Sequence, residues 1–487
     1  MPAERLDATV RRRLARPTLI SLSSTLVSGT VGFILAAWLG PSVWGQVQLV
    51  LLAYGIASVI QFGFFAAGSR QAIHLRGLSQ EDAAVESQNL GTTAEVAASI
   101  PIGIALAALA LVAHSGTERI GLLLAPISVV VSTLAGCLGG LEVGYDRTER
   151  VTIATGIGAV LTAGLGLAGV KLIGPVALFV APMFGNVGAI WFLLPRLRGG
   201  GLRPQLNGEK ARALARAGYP LALALSVYWA YRAVGPWSVG LALGATSLGF
   251  YALASAPITL VIGALTVGVR IFMPRFWQQM VHVPRKRWIS DGDRTTSLFV
   301  VVAVSLAMIG QAAYPWFIHT FLPRYEPSVP VFLILSLEIP LYLAGQAPGL
   351  VLESVVVNRQ KLNLGIWMAA LLANALVNGV LLSLHFGIGA IAWTDVGVQA
   401  GVVVALFSAA RPYQATYATR LGDLAPGIIA FLTFLAVSAI LLAQSASGSG
   451  STQTSEGVAV RLVAALAGTA LVVGASLAAG RRQRRLD

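Results

Sequence analysis

The chain is written in long apolar runs separated by short polar breaks, and the runs have a nearly constant length. Fourteen of them can be marked between Thr18 and Ala479. Each is about 20 residues long, enough for an α-helix to cross a ~30 Å hydrocarbon layer. The first six are Thr18–Leu39, Gln46–Gly68, Leu90–Ala113, Ile120–Leu141, Val151–Val170 and Pro175–Leu194. After a polar break come Gly218–Leu241, Leu248–Phe272, Ser297–His319, Ser328–Leu350, Leu362–Leu384, Gly387–Ser408, Leu424–Ala443 and Val458–Ala479. None alternates with the ten-residue rhythm of a membrane strand, so helices that satisfy their own backbone are predicted throughout. The expected fold class is an all-α polytopic membrane protein.

The pattern repeats. "AAWLGPSVWGQVQL" (Ala36–Leu49) returns 204 residues later as "GLALGATSLGFYAL" (Gly240–Leu253). Further on, "GGLEVGYDRTERVTIATG" (Gly139–Gly156) faces "LVLESVVVNRQKLNLGIW" (Leu350–Trp367) at an offset near 211. Two matches in the same order point to duplication. Six spans per copy is an even number, so both lobes enter from one side and are expected to be related by a pseudo-two-fold axis along the membrane normal. The glycines fall where the first two helices of each lobe turn, a place that needs a tight bend and close packing. The expected organisation is a basic segment 1–17, a first lobe 18–195, a linker 196–217, a second lobe 218–410, two further helices within 424–480 and a basic tail 481–487.

Composition agrees with a lipid solvent. Apolar residues make up 56% and charged residues 11% of the chain, and its mean hydropathy is +0.76. The net charge of +14 would suit a nucleic-acid binder, but the positions of the charges exclude that reading. With the N-terminus inside, 29 of the 34 Lys and Arg fall in inside segments and only Arg119, Lys171 and Arg324 fall outside. Arg232 and Arg461 lie within spans. This is the positive-inside bias, and it sets both termini on the cytoplasmic face. The basic loops then meet anionic lipid heads rather than nucleic acid. The sole cysteine, Cys137, sits in a span and offers no disulfide. The "RRRLARP" flank leads into an apolar run too long for a cleavable signal peptide. A bacterial-type plasma membrane is the expected location.

Three stretches carry a resemblance. They are "LGPSVWGQVQLVLLAYGIASVIQFGF" near the start, "YPWFIHTFLPRYEPSVPVFLIL" (Tyr314–Leu335) and "NRQKLNLGIWMAALLANALVNGVLLSLHFGIGAIAWT" (Asn358–Thr394). In order and spacing the chain resembles the multidrug/oligosaccharidyl-lipid/polysaccharide (MOP) flippase superfamily from Thr18 to Ser408, most of all its polysaccharide-transporter, or O-antigen flippase, branch. The resemblance implies a V-shaped pair of lobes that moves an undecaprenyl-pyrophosphate-linked sugar from the inner to the outer leaflet. Its partners would be that lipid-linked sugar, membrane lipids and a polysaccharide assembly machinery. Fold analogy does not fix the substrate, so the residues have to be weighed on their own.

Charges at mid-bilayer cost about 2.5–3.5 kcal/mol on insertion scales, and each needs a reason. Arg232 stands in "SVYWAYRAVGPWSVG" among Tyr228, Trp229, Tyr231 and Trp237. A guanidinium there suits a pyrophosphate, and the rings suit sugars. The alternative is an ion pair with a neighbouring helix. Glu338 and Asp395 are the other deep charges of the second lobe. They are candidates to pair with Arg232 or to bind a coupling H⁺ or Na⁺. Asn374 and Asn378, one helical turn apart, could bond sugar hydroxyls or bridge packed helices. Glu95 reads as a helix-end residue reaching for the interface. Glu142 with Arg147, and Glu353 with Arg359, occupy corresponding inside loops and read as gate or linker pairs. No metal-ligand spacing, nucleophile elbow or phosphate-cradling loop appears in the sequence, so no cofactor is expected.

Four functions compete. A lipid-linked polysaccharide flippase leads. A cation-coupled multidrug exporter of the same superfamily resembles a twelve-span pattern with an acid in the first span, whereas Thr18–Leu39 carries no charge. A peptidoglycan-precursor flippase is expected to have arginines within its first lobe, and no mid-span arginine stands between Thr18 and Leu194. A membrane polymerase or ligase would need a catalytic outside loop. The longest here, "AQSASGSGSTQTSEG" (Ala443–Gly457), offers a single Glu456.

Overall fold

The computed structural model describes residues 3–59, 62–113, 115–144, 147–194, 203–205, 207–282, 285–354, 357, 359–410 and parts of 427–443. The chain divides into two compact units, Met1–Gly249 and Phe250–Asp487. All described elements are helical. They are α1 (Ala3–Val59), α2 (Phe64–Gly77), α3 (Glu81–Ala108), α4 (Gly116–Leu123), α5 (Ala125–Gly144), α6 (Thr148–Ile173) and α7 (Ala177–Leu193). Then follow α8 (Gly208–Ser238), α9 (Gly244–His282), α10 (Arg285–Phe321), α11 (Ser328–Leu335), α12 (Glu338–Glu353), α13 (Gln360–Ser383) and α14 (Ile388–Ala410).

Among the described residues, nine stretches are long and apolar enough to cross a membrane. Three of them, Leu26–Ser58, Glu149–Leu193 and Ser226–Thr266, contain an interior break. The set therefore amounts to a multi-pass membrane protein in which each of the first twelve predicted spans has its own helix. The breaks in the first and third of these stretches answer to the sequence repeat. Gly40 interrupts α1 at φ 74° and ψ 167°, and Gly244 begins α9 at φ 85° and ψ 171°. These are the same backbone state, 204 residues apart, and only glycine enters it without strain. In the second copy the turn is preceded by a π-helical stretch, Val239–Leu243.

The surface follows the rule for lipid rather than for water. Leu172, Trp191, Leu241 and Leu376 are largely exposed, whereas Gln88, Asn89, Glu95, Glu338, Asn374, Asn378 and Gln399 are buried. Small and polar groups thus line the helix–helix contacts, and large apolar ones face outward. In the first unit α6 packs on α7 and α1, and α3 packs on α2 and α5. Leu138, Leu141, Ala154, Ala189 and Leu193 form one of its cores. α8 belongs to this unit and packs on α1 and α2.

In the second unit, Ser328–Glu353 is the most enclosed span at 78% buried, against 17% for Gln360–Ser383. It forms the centre on which α10 and α14 pack. The thirteenth predicted span docks on α10 at two points. Ser297 Oγ accepts from the Gly427 N–H at 2.9 Å, and the Gln311 amide bonds Ser336 Oγ and Ser438 Oγ, each at 2.8 Å. Both numberings ascend together, so this span runs parallel to α10, as a chain that has recrossed an even number of times must. The span Val458–Ala479 and the basic tail lie outside the described residues.

Two predicted spans differ in outline. Gln46–Gly68 ends at Val59, and Phe64–Gly77 forms a separate helix. Ser328–Leu350 carries a break at Ser336–Leu337. The first difference has a clear cause in Glu95, described below.

Candidate functional site

The second unit brings four polar side chains from three helices into one buried relay. Asp395 on α14 is the hub. Its Oδ1 accepts from Asn374 Nδ2 of α13 at 2.8 Å, and its Oδ2 accepts the hydroxyl proton of Tyr251 on α9. Asn378 Nδ2 in turn donates to Asn374 Oδ1 at 2.8 Å. The relay is closed off: Asp395 is 8% exposed, Tyr251 2%, Asn374 1% and Asn378 0%. The i, i+4 spacing of the two asparagines stacks them on one face of α13, which is what permits the amide-to-amide bond. Asn378 Oδ1 is buried and without a hydrogen-bond partner. A carboxylate and amide oxygens of this kind are hard ligands that suit a proton or a small monovalent cation.

In the sequence Asp395, Asn374 and Asn378 stand as separate candidates, one for coupling and two for sugar contact. The structure joins them. Tyr251 went unremarked, yet a signal was present. In the repeat it stands opposite Val47, so a buried apolar position of the first copy is a hydroxyl-bearing one in the second. Glu338, the other deep acid, is 3% exposed at the first turn of α12, just after the Ser336–Leu337 break.

The aromatic–arginine group lies on α8. Tyr231 is 2% exposed, Trp229 is 45% exposed and packs edge-on against Tyr228 with ring centroids 5.7 Å apart, and Arg232 is half-buried. The Trp237 Nε1–H is buried without a hydrogen-bond acceptor. Arg232 and Trp229 therefore present a cation and a ring on adjoining positions of one helix, while Tyr231 fixes the helix in its unit.

In the first unit the structure departs from expectation at Glu95. This residue does not reach the interface; it is 2% exposed. Its Oε1 accepts from the Phe62 N–H at 2.8 Å and its Oε2 from the Phe65 N–H at 3.1 Å. The carboxylate thus caps the start of α2 from a neighbouring helix, satisfying N–H groups that have no intrahelical partner. The elbow it holds turns at Gly63, φ +85°, which explains why the second predicted span ends early. At Gly63 a Cβ would lie 2.5 Å from the Gly218 carbonyl carbon, so α8 rests directly on the elbow backbone.

Glu142, fully buried, lies 3.6 Å from both Arg147 Nη1 and Arg150 Nη1. Glu353 accepts from Asn363 Nδ2 at 2.7 Å. Both acids tie a helix end to the start of the next helix.

No family model and no curated protein matches the sequence. Solved structures do match the fold. An inward-facing multidrug resistance MATE family transporter of the MOP superfamily aligns at TM-score 0.61 and 12% identity, covering 89% of this chain and 100% of that one. Lipid II flippase MurJ in an inward closed conformation aligns at TM-score 0.61 and 13% identity, covering 86% and 98%. A MOP superfamily transporter from Pyrococcus furiosus aligns at TM-score 0.54 and 13% identity, covering 89% and 96%. Over nearly its whole described length, this chain has the fold of the MOP-superfamily transporters.

Proposed function

We propose that the chain is a flippase that carries a lipid-linked oligosaccharide, on an undecaprenyl-pyrophosphate type of carrier, from the inner to the outer leaflet by alternating access. It works in a bacterial-type plasma membrane with both termini cytoplasmic. We read it as a transporter rather than an enzyme, a reading supported by the transporters and flippases that share its fold. The observation that carries the coupling half of this reading is the Tyr251–Asp395–Asn374–Asn378 relay, a buried carboxylate held by a hydroxyl and an amide from two other helices. Mid-membrane acids are expensive and are kept where ions or protons move. The substrate half rests on Arg232 with its flanking rings, and on the uncharged first span Thr18–Leu39, which lacks the acid of the exporter pattern.

The lobes are proposed to follow the repeat, 18–195 and 218–410, joined by the basic linker 196–217. In this reading the Arg232 guanidinium forks onto the pyrophosphate while Trp229 and Tyr228 offer ring faces to the sugars. Asn374 and Asn378, taken up by Asp395, serve the ion rather than the sugar.

Charge-assisted hydrogen bonds of this kind contribute about 1.5–3 kcal/mol. Arg232→Ala should therefore weaken binding of a polyprenyl-pyrophosphate sugar to the detergent-solubilised chain about 10- to 100-fold. Binding of a polyprenol-linked sugar without phosphate should change little. Equal weakening of both ligands would remove Arg232 from the headgroup site. The exporter reading is tested in the same vesicles: efflux of a cationic dye faster than glycolipid movement would favour it.

A further inference from the structure

We propose that Arg212, Arg216 and Tyr219, at the cytoplasmic start of α8, form a headgroup site for an anionic phospholipid of the inner leaflet. This part of α8 has two unlike faces. Leu214 is buried and packs with Ala67 of α2 and Leu90 of α3. Arg212, Arg216 and Tyr219 follow one another at i, i+4 and i+7 and are all exposed, Tyr219 at 55%. That spacing sets two guanidiniums and a phenol ring in one stripe along the helix, turned away from Leu214.

The stripe stands on a fixed platform. Asn207 Oδ1 accepts from the Lys210 N–H at 3.1 Å and so caps the first turn of α8. Lys210 Nζ lies 2.6 Å from Glu86 Oε1 of α3, and the Gln205 N–H donates to Thr93 Oγ1 at 3.2 Å. Further along, a Cβ on Gly218 would lie 1.9 Å from the Gly63 carbonyl oxygen, so the backbone beside Tyr219 is seated on the α2 elbow. These ties hold the helix start from within the unit and leave its outer face open.

Charge identifies the occupant. Other basic side chains near the inside loops of this unit are spent on acids: Arg76 on Glu81, Arg147 and Arg150 on Glu142, and Lys210 on Glu86. Among the described residues no acid pairs with Arg212 or Arg216. Glu209 occupies the first turn of α8, where a carboxylate complements the helix N-terminus. Two guanidiniums one turn apart suit the oxygens of a phosphate diester. The depth fits a lipid. Arg212 to Tyr219 covers about 10 Å of helix, and the predicted span begins at Gly218. The arginines therefore rise through the headgroup layer, and Tyr219 marks its boundary with the hydrocarbon. A soluble anion would use the charges alone, whereas a phospholipid uses the charges and the ring. The site is separate from that of the transported headgroup, because Arg232 stands about 24 Å beyond Arg216 along α8. A phosphate bound here anchors the helix that carries Arg232 at a fixed depth.

The inference borrows only the orientation of the transport reading, and its test needs no transport. The detergent-purified chain is titrated with spin-labelled phosphatidylglycerol, and the immobilised fraction is read by electron paramagnetic resonance. Arg212→Gln combined with Arg216→Gln should weaken binding about 30-fold, about fivefold for each basic residue at an anionic headgroup. Arg212→Lys combined with Arg216→Lys keeps both charges and should retain most of the binding. The wild-type chain should prefer this lipid to spin-labelled phosphatidylcholine and lose the preference at high salt. A folded glutamine pair that binds as the wild type does would overturn the site. So would equal binding of the two lipids by the wild-type chain, a comparison that needs no variant to fold. Displacement by inorganic phosphate would make it a soluble-anion site. Displacement by a polyprenyl-pyrophosphate sugar, equal in wild type and Arg232→Ala, would make it a loading site for the substrate. Either result overturns the phospholipid assignment. Lost lipid binding with intact glycolipid movement removes this site alone, and the converse removes the flippase reading alone.

Discussion

Asp395→Asn is expected to leave the protein inserted and thermally near the wild type, yet to cut transport driven by an ion gradient several-fold or more. The reasoning is one of donor and acceptor inventory. An asparagine at 395 keeps one oxygen to accept from Asn374 Nδ2, and its new amide can donate to the Tyr251 hydroxyl, which accepts as well as donates. The relay stays satisfied while its only charge is lost. Asp395→Ala is the contrasting case. It strands the Tyr251 hydroxyl and the Asn374 amide in a dry site, at about 1–3 kcal/mol for each group. The alanine variant should therefore lose both stability and activity, the asparagine variant activity alone. Coupling free energies between sites are typically about 1–3 kcal/mol, so the expected loss of gradient-driven flipping is about 5- to 150-fold. Melting curves and proteoliposome flux on the same preparations separate the two effects. Full gradient-driven activity in Asp395→Asn would make the carboxylate a packing device.

Glu95→Ala is expected to be the most destabilising single change in the first unit. The carboxylate holds the Phe62 and Phe65 N–H groups at the α1–α2 elbow, and water cannot replace it at 2% exposure. Two charge-assisted bonds to buried donors amount to about 3–6 kcal/mol. For a unit of this size that corresponds to a melting temperature lower by about 10 °C. Glu95→Gln keeps one accepting oxygen and turns an N–H₂ toward the second donor, so it should fall between the two. The elbow supports α8 at Gly218, so local loosening should reach the helix that carries Arg232. Hydrogen exchange of residues 62–66 reads this directly: protection there unchanged in Glu95→Ala would contradict the capping role.

What the sequence disclosed and what it withheld follow from the range of the interactions. The first twelve spans and the turns at Gly40 and Gly244 are legible because hydrophobic run length and glycine placement are local properties. The matching φ and ψ at these two glycines is the structural form of the repeat. Glu95 was misjudged because its partners are backbone groups some 30 residues earlier, and nothing in "GTTAEVAAS" announces them. The signal was on the other side, in "QFGFF", where Gly63 breaks an apolar run. Asn374, Asn378 and Asp395 were each noticed for being polar in lipid. Their union was not legible, since it depends on how α13 and α14 pack, which periodicity does not specify. Tyr251 was hidden by familiarity, as one more aromatic in an apolar helix, until the repeat is laid out and Val47 stands beneath it.

Movement of a labelled undecaprenyl-pyrophosphate oligosaccharide between the leaflets of vesicles that contain only the purified chain is the direct measurement. The account predicts transfer at least about 10-fold above protein-free vesicles, the factor that 1.4 kcal/mol of barrier lowering supplies, when a proton or sodium gradient is imposed. Transfer no faster than in protein-free vesicles, with either ion and in either direction of the gradient, would contradict it.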